Sequence, residues 1–169
     1  MTMKGCFRMS EIILTDFYYG AALSVLFNNS VRKISAALIE SDDTRQLYCL
    51  TTDNNECRLF IKYRTMRNET KTEDYNSWVF NLTERDKNEI QSLIEEGHNL
   101  VLALVCGVAG FSDSELALLD KEQIKRIIDL GKGSITISRK KRERAYRISI
   151  GGGRGNAMRV AFNRFEELF

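Results

Sequence analysis

The chain has 169 residues, of which 43% are hydrophobic and 28% charged, as in an ordinary globular protein. This composition excludes an intrinsically disordered chain, and the length fits one hydrophobic core, so we expect a single domain over residues 1–169. The formal net charge is only +2, but residues 132–169 hold ten Lys/Arg against three Asp/Glu, a surplus that predicts a basic surface for an acidic partner.

The hydropathy of the chain gives no sign of a membrane partner. The longest apolar run, residues 100–106, is far shorter than the roughly 20 residues that cross a bilayer. Residues 1–14 contain Lys4, Arg8 and Glu11 and show no apolar signal-peptide core. We therefore expect a cytoplasmic protein.

The four cysteines are Cys6, Cys49, Cys57 and Cys106. They show none of the short paired spacings of a metal knuckle or a redox motif. The last three lie in apolar or strand-like runs, where a thiol usually acts as a small buried hydrophobe. We therefore expect free thiols.

The first elements of the chain are a helix, a strand and a hairpin. Small and apolar residues recur at helical spacing over residues 17–27, and either Thr15 or Asp16 can cap this helix. Residues 34–40 are typical of a strand buried on at least one face. A β-hairpin follows, with strands at residues 47–52 and 58–64.

The middle of the chain predicts a strand, a helix and a buried strand. Apolar residues with a period of two indicate a strand over residues 75–82. Thr83 and Asp86 have the spacing of a capping box, which predicts the start of a helix. Gly97 is placed to end this helix. Residues 99–106 are almost entirely apolar, which favours a central strand.

The last third predicts a strand, a helix and a second hairpin. A strand over residues 115–119 precedes a helix that opens at Asp120 and ends at Gly131. Residues 134–139 and 144–150 form the hairpin, and a glycine-rich connector, residues 151–156, comes next. We expect an α/β or α+β fold with a central mixed sheet flanked by helices.

The order of these elements resembles that of a known superfamily. Residues 15–107 are predicted to form a helix, three strands, one extra strand, a helix and a strand. Apart from the extra strand, this order resembles the α-β-β-β-α-β core of restriction-endonuclease-like, or PD-(D/E)XK, proteins. In that superfamily an acid near the second strand and an acid-x-lysine on the third hold a divalent metal, and the lysine positions the attacking water. Residues 115–169 would then be an extension that carries the basic hairpin.

The resemblance implies candidate catalytic residues, which are Lys62, Asp43 and Glu40. Lys62 matches the lysine of the motif, but Phe60 stands where the acid is expected. Asp42 or Asp43 can stand in for the first acid. The alternative, which we favour, makes Lys62 a solvated strand lysine and the two aspartates turn formers. We thus expect a non-catalytic or degenerate relative without a metal or cofactor; an active nuclease would need Mg²⁺.

The basic C-terminal hairpin supplies the candidate nucleic-acid-binding residues. Clustered cations neutralise phosphates, and a two-stranded ribbon can enter a major groove. The alternative is that the charges only solvate a sheet edge. The candidates are Arg139, Lys140, Lys141, Arg142, Arg144, Arg147 and Arg154.

These observations lead to three hypotheses about function. The first is a nucleic-acid-associated protein that binds DNA or RNA, for which the resemblance implies a setting in restriction, repair or mobile-element conflict. The second is a protein-interaction module, such as a subunit or an inhibitor in phage defence or counter-defence. The third is an active metal-dependent nuclease.

Overall fold

A computed structural model of the protein describes residues 10–68 and 74–169. Helices and strands alternate along these residues. The helices are α1 (Leu14–Asn29), α2 (Glu84–Glu95), α3 (Lys121–Asp129) and α4 (Phe165–Leu168). The strands are β1 (Ser35–Ser41), β2 (Gln46–Thr51), β3 (Glu56–Arg64), β4 (Tyr75–Asn81), β5 (Leu100–Cys106), β6 (Glu115–Leu119), β7 (Ser134–Lys140), β8 (Ala145–Ile148) and β9 (Met158–Ala161). The protein is an α+β domain.

Sheet A is a mixed sheet with the strand order β1-β2-β3-β5-β6. Only β3 and β5 run parallel, so the chain needs a crossover between them, and it passes there through β4 and α2. Where β3 and β5 end together, the Gly107 amide donates to the Arg64 carbonyl at 2.7 Å. A Cβ on Gly107 would lie 2.2 Å from that oxygen, so the close approach requires glycine.

The helix α1 covers one face of sheet A. Side chains along β3 alternate, so Leu59 and Ile61 face α1 while Phe60 and Lys62 face the other way. Both Leu59 and Ile61 are fully buried, and each such side chain contributes about 1.5–3 kcal/mol to folding. The residues of α1 in this core are Tyr18, Tyr19, Ala22 and Leu26.

The opposite face of sheet A packs against α2, α3 and a second sheet. Sheet B is antiparallel throughout, with the strand order β4-β7-β8-β9. Its inner face contributes Trp78, Phe80 and Ile137 to the core, and the Trp78 indole donates to the Gly107 carbonyl at 2.8 Å. The outer face of sheet B carries mainly polar side chains.

Several local predictions are confirmed. The hairpin of β2 and β3 forms as expected, and β7 and β8 form the second hairpin. The capping boxes of α2 and α3 are both present, and Gly97 ends α2 with a φ of 81°. Cys49, Cys57 and Cys106 are free thiols, whereas Cys6 lies outside the described residues.

Two predictions about the first elements are wrong. The cap of α1 is Ile13, because Asp16 sits in the first turn and accepts from the Ile13 amide at 2.9 Å. The strand β1 is exposed on both faces, with Leu38 and Ile39 each more than half exposed. It lies at the edge of sheet A, where neither α1 nor sheet B covers it.

The central sheet also differs in extent from the expectation. The extra strand β4 leaves sheet A and pairs with β7, so Tyr75 lies opposite Lys140. The basic hairpin is therefore part of a separate four-stranded sheet. None of the helices in residues 10–68 and 74–169 has the length and hydropathy of a membrane span.

Candidate functional site

The β7–β8 turn and the first residue of β4 meet at one end of sheet B. The turn is tight, because the Glu143 amide donates to the Lys140 carbonyl at 3.0 Å. The Glu143 carboxylate in turn accepts from the Lys140 amide at 3.1 Å. A single acidic residue thus closes a turn that otherwise consists of cations.

Glu143 also holds two arginines. Its carboxylate accepts from Arg147 Nε at 2.8 Å and from Arg154 Nη2 at 2.5 Å. Partial burial raises the pKa of Glu143, but these hydrogen bonds outweigh that effect and lower the pKa to about 2. Glu143 is therefore ionised at neutral pH and holds both guanidinium groups in place.

Arg154 reaches this end of sheet B from the glycine-rich segment. Gly151, Gly152 and Gly153 all have positive φ values, which few other residues adopt, and a short 3₁₀ helix, Arg154–Asn156, follows them. The Arg154 guanidinium lies 5.3 Å from the centre of the Tyr75 ring and donates from Nε to a serine hydroxyl of β7 at 3.3 Å. The segment interpreted as a connector therefore positions a cation.

These residues surround a concave surface, which we call the basic depression. Its volume is about 710 Å³, and a smaller depression of about 250 Å³ shares Lys140, Arg147 and Arg154 with it. The lining consists of Asp74, Lys140, Lys141, Arg142, Glu143, Arg147 and Arg154. Among the described residues of the lining, five cations face two carboxylates, which gives them a formal charge of +3.

Three of these cations are exposed and have no carboxylate partner within the described parts of the chain. They are Lys140, Lys141 and Arg142. On the outer face of sheet B, Arg147 also lies directly opposite Arg159 of β9. Like charges at such a pair destabilise a sheet.

Arg139 and Arg144 are the two predicted residues outside this lining. Arg139 shares the inward face of β7 with Ile135 and Ile137, and its Nε lies 2.6 Å from Glu115 of β6. It also hydrogen-bonds to backbone carbonyls of the turn and so ties the two sheets together. Arg144 is exposed next to the start of β8.

The predicted catalytic lysine lies in a different environment. Lys62 is only 4% exposed, and its Nζ donates to Asp86 Oδ2 at 2.7 Å. The prediction of a solvated lysine is therefore wrong, because the face of β3 that carries Lys62 packs against the first turn of α2. Asp86 also accepts from the Thr83 amide at 3.0 Å and from Arg45 Nη1 at 3.2 Å.

Arg45 lies at the centre of this buried ion cluster. Besides Asp86, its guanidinium pairs with Glu40, Asp42 and Glu89. Burial lowers the pKa of Arg45, but Glu89 and Glu40 outweigh it and raise the pKa above its ordinary value. A permanently charged side chain therefore occupies the space between four carboxylates.

The structure brings together part of the predicted catalytic set. Lys62 and Asp43 both line a cavity of about 220 Å³, whereas Glu40 pairs with Arg45 and Arg85. Asp42 is a turn former as expected, because its carboxylate accepts from the Thr44 amide at 2.7 Å. Among the described residues, no group of three or more His, Cys, Asp or Glu side chains could hold a metal ion.

The cavity at Lys62 and the basic depression lie at opposite ends of β4. Asn81, the last residue of β4, lines the cavity, and Asp74, next to its first residue, lines the depression. Since a strand rises about 3.3 Å per residue, the two sites are separated by roughly 20 Å.

No local sequence pattern indicates that Arg45 and Asp86 belong to one cluster. The capping-box spacing identified Asp86 as a helix-start residue, but its contact with Lys62 joins residues far apart in the sequence. Comparisons of the chain with protein-family models, with curated proteins and with solved structures found no match.

Proposed function

We propose that the protein binds the phosphates of DNA or RNA at the basic depression and does not cut the strand. The observation that carries this proposal is the convergence of Lys140, Lys141 and Arg142 with Arg147 and Arg154 on one concave surface. Solvation of a sheet edge would need fewer cations, and it would not need two of them fixed by a shared carboxylate.

The physical basis of binding is the release of counterions from the nucleic acid. Each phosphate that a lysine or arginine neutralises contributes roughly tenfold to the affinity near 0.1 M salt. Three exposed cations therefore supply roughly several hundredfold to 1,000-fold, and binding falls steeply as salt is added. Such contacts carry no sequence information, so we expect similar affinity for unrelated sequences.

The test uses two variants with the same total charge. In the first variant, Lys140, Lys141 and Arg142 become Glu. In the control, Glu replaces Arg32, Lys33 and Lys132, three exposed cations outside the depression. Either set of changes lowers the formal net charge from +2 to −4.

Binding of both variants to labelled duplex and single-stranded DNA and RNA is then measured at low salt. We expect the first variant to lose about 100-fold or more in affinity while the control stays within a few-fold of the wild type. Equal losses in the two variants would show that only net charge matters, and no loss in either would refute the proposal.

The resemblance to restriction-endonuclease-like proteins supports the same proposal. Once β4 is set aside, the order α1, β1, β2, β3, α2, β5 is the α-β-β-β-α-β order of that core. Phe60, at the position of the metal-binding acid, is fully buried in the core. We therefore propose a non-catalytic relative of these nucleases, in the setting of restriction, repair or phage defence that the resemblance implies.

The shared cavity of Lys62 and Asp43 favours the active nuclease as a second candidate. It predicts strand cleavage that depends on Mg²⁺ and is lost in Lys62→Ala. The binding reactions above, incubated with Mg²⁺ and run on a denaturing gel, separate the two functions. Intact strands at every protein concentration would exclude the nuclease.

A further inference from the structure

The cations of the basic depression converge on one concave site. A strand that runs across a protein carries one negative charge per nucleotide, and a row of separated cations matches it. Here five cations between Lys140 and Arg154 border a single depression of about 710 Å³. This geometry suits one group with a high local charge.

The terminal phosphate of a nucleic acid strand is such a group. A phosphate monoester carries about −1.5 to −2 charges at neutral pH and has three acceptor oxygens. An internal phosphodiester carries a single charge and has two free oxygens. The formal charge of +3 on the described lining residues therefore matches a strand end better than an internal position.

Two of the donors are already held by Glu143. Arg147 uses only Nε to bind Glu143, so both of its terminal nitrogens have no partner in the described residues. Arg154 uses Nε and Nη2, so only its Nη1 has no such partner. Stacking of Arg154 on Tyr75 further restricts its guanidinium. Donors held in this way lose little entropy on binding, and a guanidinium can bind phosphate with two parallel hydrogen bonds.

We propose that the basic depression binds the terminal phosphate monoester of a DNA or RNA strand. The proposal rests on the function proposed above and narrows it to strand ends. Arg147 and Arg154 bind the phosphate oxygens, and the three exposed cations at the turn contact the phosphates that follow.

The test compares strands of one sequence that differ only at their ends. They carry a 5′-phosphate, a 3′-phosphate or hydroxyls at both ends, with the fluorescent label on an internal base. A hydroxyl-ended strand lengthened to the same total charge controls for charge alone, and a circular strand supplies internal phosphates only. Affinities are measured by fluorescence anisotropy with the full chain.

We expect one phosphorylated end to bind about tenfold or more tightly than the charge-matched strand, which corresponds to about 1.4 kcal/mol. The arm that shows the preference identifies the 5′ or the 3′ end. Because the second pKa of a phosphate monoester is about 6, the preference should also grow as the pH rises through this value. The described part of the lining contains no histidine, and its charged groups are Asp74, Lys140, Lys141, Arg142, Glu143, Arg147 and Arg154.

A matched pair of variants tests the role of the guanidinium. Arg154→Lys keeps the charge but loses the guanidinium Nη1 donor, so the preference for the phosphorylated end should fall severalfold. Arg126→Lys makes the same change at an exposed position of α3 and should leave the preference intact.

Two results would overturn the inference. Equal affinities for all ends and for the circular strand would refute end recognition while leaving the proposed function in place. Failure of every strand to bind would refute both.

Discussion

Asp86→Asn is the substitution that most directly probes the buried ion cluster. Asp86 is 1% exposed and accepts hydrogen bonds from Lys62, Arg45 and the Thr83 amide. Asn has nearly the same shape, but it presents an NH₂ group in place of one oxygen. A donor would therefore face the Arg45 guanidinium or the Lys62 ammonium, and the negative charge between the two cations would be lost.

The expected cost follows from burial. Lys62 is 4% exposed and Arg45 is 2% exposed, so neither cation can recover the lost contact from water. Removing one partner of a buried pair costs about 3–5 kcal/mol, and we expect Asp86→Asn to lower the free energy of unfolding by this amount. Lys62→Met should cost less, about 1–3 kcal/mol, because Asp86 keeps Arg45 and Thr83 as partners.

Urea unfolding, followed by circular dichroism, measures both effects. Asp129→Asn removes an exposed carboxylate at the end of α3 and serves as the control, with an expected change within about 0.5 kcal/mol. If Asp86→Asn also stayed within about 0.5 kcal/mol of the wild type, the buried ion cluster would not exist as described.

Three further predictions concern other parts of the protein. The pKa of Glu143 is lowered to about 2, so its stabilising contribution is complete above pH 4.5 and lost as the pH falls through 2. Glu143→Gln should therefore remove this part of the dependence of the thermal unfolding temperature on acid pH. An unchanged dependence on pH in the variant would contradict this prediction. Burial raises the pKa of Cys57 to about 12. A thiol reagent at mildly alkaline pH should therefore modify Cys49 in the folded protein and leave Cys57 unmodified. Equal labelling of the two cysteines, measured by mass spectrometry, would refute the prediction. Gly107→Ala should lower the unfolding free energy by about 1–3 kcal/mol, because its Cβ would overlap the Arg64 carbonyl. Gly133→Ala is the control and should cost clearly less, because a Cβ at Gly133 meets no atom within 4 Å. Equal costs in the two variants would contradict the close approach at Gly107.

Local features of the fold could be predicted from the sequence. The capping box of Thr83 and Asp86 depends on residues three apart, and the hairpin of β2 and β3 depends on one short loop. Strand alternation also holds for Trp78 and Phe80, which are buried on the same face of β4. In each case the interacting residues are close in sequence, so the local sequence pattern is enough to predict the structure that they form.

Features that depend on distant partners could not be predicted. The pairing of Tyr75 with Lys140 joins β4 to β7 and creates the second sheet, yet no local pattern selects that partner. The alternation in β1 suits a buried strand equally well, and only its place at the sheet edge exposes Leu38 and Ile39.

The candidate site was partly visible in the sequence. The cations at the β7–β8 turn form a dense run, which identified most of the lining of the basic depression. The inward position of Arg139 could have been predicted, because Arg139 lies two residues from Ile137 and therefore on the same face of β7. The burial of Lys62 could not be inferred, because it requires Asp86 on a different element.

The salt dependence of binding tests the central claim most directly. The affinity for one duplex is measured between low and moderate salt for the wild type, for the variant with Glu at Lys140, Lys141 and Arg142, and for the charge-matched control. A plot of the logarithm of the association constant against the logarithm of the salt concentration has a negative slope. The magnitude of this slope should decrease by roughly two to three units in the first variant and stay near the wild-type value in the control. Identical slopes in all three proteins would mean that the basic depression does not contact phosphates.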